Sequence, residues 1–252
     1  MEEFEVIPAV DLKGGSCVQL QQGKKGAVIF SADNPVGIAR EWVVQGAKRL
    51  HIIDLDGAFM EEQRNFGLIK AITESEGVKS NARTQVGGGI RSYKAAVMLL
   101  KIGVNRIIFG TAALKSPQLI EQIADEFSSE RVMVALDARA GKVAIDGWRE
   151  VTGLEAKDVV KKAEELGAGS LLFTNIDVEG LMKGIDKGII EEFVGAANVP
   201  VVIAGGVSSV EDVMWIKEVG ASGVVLGSAL YTGKINFKHV IGVVGIGIPE
   251  RL

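Results

Sequence analysis

Hydrophobic and polar positions along the chain follow two alternating rhythms. Short β-branched runs predict strands at 5–11, 50–54, 84–86, 106–109, 132–137, 170–174, 199–204 and 223–226. Between them, apolar residues recur at helical spacing, as in 35–45, 92–102, 155–166 and 209–219. Gly46, Gly103, Gly167 and Gly220 each stand just past such a segment, where a helix ends on a left-handed residue. Eight strand–helix units without a long linker predict a parallel sheet, and eight such strands close into a (β/α)8 barrel. The 252 residues match this fold, for which about 250 is typical. No linker or low-complexity stretch divides them, so one domain spanning 1–252 is expected.

The pattern also repeats. Residues 86–112 align without a gap on 203–229: Gly88-Gly89 falls on Gly205-Gly206, Ser92 on Ser209, Gly103 on Gly220, and Gly110-Thr111 on Gly227-Ser228. The first and fifth strands match as well, VIPAVD at 6–11 against VMVALD at 132–137. Two half-barrels, approximately 1–128 and 129–252, are therefore expected, related by an approximate two-fold axis.

Each half places a Gly-Gly turn after its third strand and Gly-Thr or Gly-Ser after its fourth. Small residues leading into a helix expose backbone N–H groups, and the helix dipole favours an anion there. The Thr111 and Ser228 hydroxyls add donors for phosphate oxygens. A single Gly-Gly pair is more often just a tight turn. Two such pairs, each beside a hydroxyl on the adjacent strand, favour two phosphate sites on opposite rims and a long ligand phosphorylated at both ends.

Asp11 and Asp137 end strands one and five, which face each other across the mouth. Residues at the C-terminal ends of barrel strands reach substrate. Two carboxyls on opposite sides of a sugar can serve as acid and base if their environments separate their pKa values. Taken singly, either aspartate could equally cap its loop; the symmetric pairing favours catalysis. Asp54, Asp56 and Asp177 also lie near strand ends and could orient loops. Arg91, close behind Gly89, could assist a phosphate or face solvent. Trp148 sits in a glycine-flanked loop after strand five; it is either core or a cover able to stack on a planar heterocycle. Thr174 ends strand six and could donate to substrate, whereas Trp42 and Trp215 fall on apolar helical faces and are expected to pack.

Composition narrows the partners. Apolar residues make up 47% and charged ones 24%, enough for a large core and far from disorder. A net charge of −4 argues against nucleic acid or a membrane surface as partner. Cys17 is the single cysteine and is expected to be a small half-buried thiol in a reducing compartment. His51 and His239 are the only histidines, so no metal site is expected. The acidic start is not expected to act as a signal peptide, and the apolar run 240–248 is too short to span a membrane. A cytoplasmic enzyme fits these features. The closing segment 236–252 is glycine- and valine-rich where an amphipathic eighth helix is expected, and the pattern gives no physical account of it.

The chain resembles the histidine-biosynthesis isomerases that act on phosphoribosylformimino-aminoimidazole-carboxamide ribotide. The likeness runs from about residue 6 to 231. It is carried by IPAVDL at 7–12, LHIIDLDGA at 50–58, QVGGGIR at 85–91, GTA at 110–112 and ALDAR at 135–139. GW at 147–148 with TG at 152–153, and GGVS at 205–208, complete it. The resemblance implies an Amadori rearrangement of an aminoaldose to an aminoketose, on a substrate carrying a ribose phosphate at each end. It implies that Asp137 is the acid that opens the furanose, that Asp11 is the base, and that Thr174 assists by hydrogen bonding. It implies no metal or organic cofactor, and a monomer is the expected state. Two positions depart from the family pattern. Gln19 stands where arginine is common, and Glu179-Gly180-Leu181 replaces Asp-Gly-Thr, so a backbone contact from Gly180 to phosphate can persist but a side-chain contact from the threonine cannot.

The nearest competing reading is the sister cyclase, which shares the repeat and both aspartates. It has a lysine where this chain has Gln19, and it lacks the Gly147-Trp148 loop. A dual-specificity isomerase that also accepts phosphoribosylanthranilate would use the same residues. A non-catalytic phosphosugar-binding barrel would need the two rims but not both opposed aspartates.

Overall fold

The computed structural model describes residues 3–24, 26–60 and 65–246. Eight parallel strands form a closed ring: β1 (Glu5–Lys13), β2 (Arg49–Asp54), β3 (Arg83–Gly87), β4 (Arg106–Phe109), β5 (Val132–Arg139), β6 (Ser170–Asn175), β7 (Val201–Ala204) and β8 (Gly223–Leu226). Each pairs in parallel with its neighbours in sequence, and β8 returns to β1 through Glu5↔Gly223 to Pro8↔Leu226. The expected barrel is therefore present, with helices between successive strands. The seventh strand begins at Val201 rather than 199, directly after Pro200, which has no N–H to give a ladder.

β1 and β5 are the longest strands, and for the same reason. Beyond the barrel rim each pairs with an antiparallel ribbon of its own loop. Ser16–Leu20 and Val28–Ala32 follow β1, and Lys142–Ile145 and Glu150–Glu155 follow β5. The two loops that overhang the mouth are thus held as sheet extensions.

Alternation along the strands separates two cores. Val6, Val10 and Leu12 of β1 face the helices, while Ile7 and Ala9 face the barrel axis. β5 repeats this, with Val132, Val134 and Leu136 outward and Met133 and Ala135 inward. A period of two then puts Asp11 and Asp137 on the axial side at the top of their strands. Leu172 does the same for Thr174 on β6. Below this layer, Gln85 Nε2 meets His51 Nδ1 at 2.8 Å, and Arg106 donates to Gln85 Oε1 at 2.5 Å and to Ser170 Oγ at 3.0 Å. Burial and the Arg106 charge hold His51 neutral, its pKa pushed down to about 3.

The helix predictions hold within a residue at their ends, and Gly46, Gly103, Gly167 and Gly220 all take positive φ. The glycine- and valine-rich end of the chain does form a helix, Phe237–Ile246. Phe237, Val240 and Val244 bury themselves against the outer core, so packing outweighs the poor intrinsic propensity. Residues 247–252 of that segment lie outside the described residues. Cys17 is fully buried rather than half-buried, its Sγ 3.5 Å from the Tyr231 hydroxyl. Trp42 and Trp215 pack on the outer core as expected.

Candidate active site

A cavity of about 240 Å³ opens at the C-terminal ends of the strands, and Asp11, Asp137, Thr174, Trp148 and all the glycines of both rims line it. A larger hollow, about 1200 Å³, lies at the opposite end of the barrel. Two of its cations, Arg49 and Arg83, are already paired with Glu5, at 2.6 and 2.7 Å. The chemistry converges on the first.

The register of β5 and β6 sets Thr174 directly beside Asp137, near enough for its hydroxyl to lower the carboxyl's proton affinity. Trp148 Nε1 donates to Asp137 Oδ2 at 2.8 Å, so the tryptophan belongs to the mouth and not to a core. Its φ is +67°, and Asp146 and Gly147 beside it are also left-handed; this turn aims the indole inward. Across the mouth, Gln19 Nε2 donates to Asp11 Oδ2 at 3.2 Å. Burial raises Asp11 to about 7, against a smaller lowering by the Gln19 hydrogen bond. Burial likewise raises Asp137, opposed by its bonds from Trp148 and Thr174. Both carboxyls are thereby brought toward neutrality, where proton exchange at ordinary pH is feasible.

A third carboxyl joins them. Glu179 lines the same cavity, and burial together with the charges of Asp11 and Asp137 pushes it up to about 8. In the sequence Glu179 stands out only as a departure from the family motif. It follows the strand by several residues, where no periodicity places a side chain in the mouth.

The two Gly-Gly turns have matching geometry. Gly88, Gly89, Gly205 and Gly206 have φ between +72° and +97°. A Cβ on Gly88 would lie 2.2 Å from the Asp54 carbonyl oxygen, and one on Gly206 2.5 Å from that of Gly184. Only glycine fits, and the turns pack tightly while lining the mouth. Short helices start at Thr111 and at Ser228, each after a glycine. Thr111 Oγ1 accepts from the Asp146 N–H at 2.8 Å, and Ser228 Oγ donates to Gln19 Oε1 at 3.4 Å. Arg91 lines the cavity and donates to the Gly57 carbonyl at 3.4 Å, so it is turned inward rather than to solvent. Gly180, at φ +68°, lines the cavity as well and lies close to the Leu20 backbone, where a Cβ would meet the carbonyl at 2.7 Å.

The remaining aspartates orient loops. Asp56 Oδ2 accepts from Gly14 N and Asp177 Oδ2 from Ala140 N, both at 2.6 Å, tying each overhanging loop to the next strand's end. Asp54 is fully buried and accepts from Gly57 N, Asn65 N and Asn65 Nδ2. Among the described residues no group of three or more His, Cys, Asp or Glu side chains is arranged to hold a metal ion, and no helix is long and apolar enough to cross a membrane.

Fold and mouth together define a closed (β/α)8 barrel with two glycine rims and an acidic centre between them. Residues 5–236 match the family model described as "Histidine biosynthesis protein", and the chain belongs to that family. It is 52% identical over 238 residues to a protein of Methanosarcina barkeri named 1-(5-phosphoribosyl)-5-((5-phosphoribosylamino)methylideneamino) imidazole-4-carboxamide isomerase, covering 94% of this chain and 97% of that one. Proteins of the same name from Archaeoglobus fulgidus, 47% identical over 95% of this chain and 98% of theirs, and Methanothermobacter thermautotrophicus, 45% identical over 94% and 97%, are also similar.

Proposed function

We propose that this chain catalyses the Amadori rearrangement of the aminoaldose ProFAR to the aminoketose PRFAR in histidine biosynthesis. The observation that carries the reading is the placement of Asp11 and Asp137 on opposed strands, between two glycine rims and in one cavity. Names borne by relatives about half identical over nearly the whole chain support it.

In this reading one phosphate lies on Gly88, Gly89, Arg91, Gly110 and Thr111, and the other on Gly180, Gly205, Gly206, Gly227 and Ser228. Asp137, protonated, gives its proton to the furanose oxygen as the bond from that oxygen to the first ribose carbon breaks, leaving a Schiff base. Asp11, ionised, takes the proton from the second ribose carbon, giving an enolamine. Proton return to the first carbon and loss of the hydroxyl proton at the second complete the ketose. The division of roles follows the family. Trp148 Nε1 bonds Oδ2 of Asp137 and orients that carboxyl across the mouth from Asp11. Burial raises both carboxyls above the ordinary aspartate range, Asp11 to about 7, which is the direction that acid and base work at ordinary pH needs. Proton transfers alone balance the reaction, so no cofactor enters. The substrate is a small bis-phosphorylated molecule, and the enzyme works as a cytoplasmic monomer, one barrel built of half-barrels 1–128 and 129–252.

The test is incubation of the purified protein with the aminoaldose, without metal or glutaminase, following the product spectroscopically. Turnover is expected in the wild type. Asp11→Asn and Asp137→Asn should each lower it by about 10²–10⁴ with binding roughly kept. Full activity in both variants would remove the catalytic assignment; tight binding of the ketose without turnover would point to a cyclase or a binding barrel.

A further inference from the structure

Gln19 takes no part in the reaction just described, yet it is 2% exposed and lies between two components of the site. Its Nε2 donates to Asp11 Oδ2 at 3.2 Å and to the Val18 carbonyl at 3.0 Å. Its Oε1 accepts from Ser228 Oγ at 3.4 Å. Two acceptors on one side and a hydroxyl on the other allow only this orientation of the amide. Gly227 leaves the space: a Cβ there would lie 2.3 Å from Gln19 Oε1, whereas at the matching Gly110 nothing lies within 4 Å. The carboxamide is thus seated on the second rim and fixed at both ends.

We infer that Gln19 is a positioning residue that ties the Gly227–Ser228 rim to the Asp11 carboxylate and holds that carboxylate in the orientation a base requires. The inference rests on the isomerase reading in which Asp11 is the base. Arg91 is the cation of this cavity and is bonded to the Gly57 carbonyl on the first rim, while the titratable groups coupled to Asp11 carry no positive charge. Cys17 comes from its own loop, Tyr231 from the helix after β8, and Glu179 from the loop after β6. Asp137 and the neutral His51 share its cavity, and Asp56 binds the start of its loop. A neutral donor among such groups orients Asp11 while leaving it a competent base. An arginine at this position would pair with it and hold its proton affinity down.

The experiment compares wild type with Gln19→Met, of similar length but without hydrogen bonds, and Gln19→Arg, reading kcat/KM for the aminoaldose against pH. Loss of the donor should move the acidic limb up by roughly half a unit and lower kcat about tenfold with KM little changed. Arginine should move the limb down by about one unit or more. Ser228→Ala, which frees Oε1, should move it in the same direction as methionine by less, with KM raised. Limbs that coincide in wild type and both Gln19 variants overturn the inference. Carboxyl ¹³C titration of Asp11 in the same proteins reads these shifts without turnover. An inactive wild type in which the Asp11 titration still moves would count against the isomerase and not against Gln19; titrations that do not move would sink the positioning role by themselves. Should Gln19→Met not fold, Gln19→Arg and Ser228→Ala carry the same test.

Discussion

The first four strands and the last four solve the same structural problems with the same backbone and then part company in their side chains. Asp56 anchors Gly14 as Asp177 anchors Ala140, at the same 2.6 Å. Ser92 caps its helix through Ala95 N as Ser209 does through Asp212 N, both at 3.2 Å. At the carboxylates the likeness stops. Asp11 meets a carboxamide from its loop, and Asp137 meets an indole. Two residues beyond the anchors the first half has Ala58 and the second has Glu179, so the third carboxyl belongs to one side only. Repetition supplies two equivalent glycine frames, which the proposed function uses for the two phosphates, and substitution at a few loop positions makes the centre between them chemically unequal. A reaction that needs an acid on one side and a base on the other requires that inequality.

The comparison is most severely tested in the frames themselves. Both Gly88 and Gly205 have positive φ, but a Cβ on Gly88 would meet the Asp54 carbonyl at 2.2 Å and one on Gly205 the Asn175 carbonyl at 2.7 Å. Gly88→Ala should therefore cost on the order of 3 kcal/mol or more, and Gly205→Ala roughly 2 kcal/mol, because backbone and not a flexible side chain must move. Urea unfolding of the two variants checks this. Equal and small losses would mean that the turns are not held as tightly as the geometry says.

A smaller effect probes the asymmetry. Glu179 has its pKa raised to about 8, so the folded state holds its proton more tightly than the unfolded chain does. Its contribution to stability is complete below the ordinary glutamate range and is lost as pH rises through about 8. Asp11, raised to about 7, acts in the same sense. Wild-type stability should fall between pH 5 and pH 9. Glu179→Gln should flatten that fall and gain roughly 1–2 kcal/mol at the alkaline end, a figure reduced for the water that reaches the cavity. Denaturant melts at both ends of the range decide it; an unchanged slope would mean that Glu179 does not hold its proton more tightly in the folded protein.

The barrel was legible in the sequence because its signals are local and repeated: eight β-branched runs, glycines after helices, and a gap-free internal match. The opposed aspartates were legible for the same reason, since strand parity alone places them on the axis. For Trp148 the pattern allows core or mouth, and the left-handed turn that decides between them depends on neighbours rather than on pattern. Gln19 and Glu179 were visible only as departures from the family pattern. What they do depends on loops that meet across the mouth, Gln19 with Ser228 209 positions away, and no periodicity reports such contacts. The composition of the closing segment gives no account of its helix for a related reason, because burial against the outer core outweighs the weak propensity of its glycines and valines.

The most direct test of the account is a crystal structure of Asp11→Asn with the aminoaldose trapped in it. The account predicts one phosphate on the Gly88–Gly89 and Thr111 rim, the other on the Gly205–Gly206 and Ser228 rim, and the furanose between residues 11 and 137. A single occupied rim, or a sugar lying outside the span between those two side chains, would contradict it.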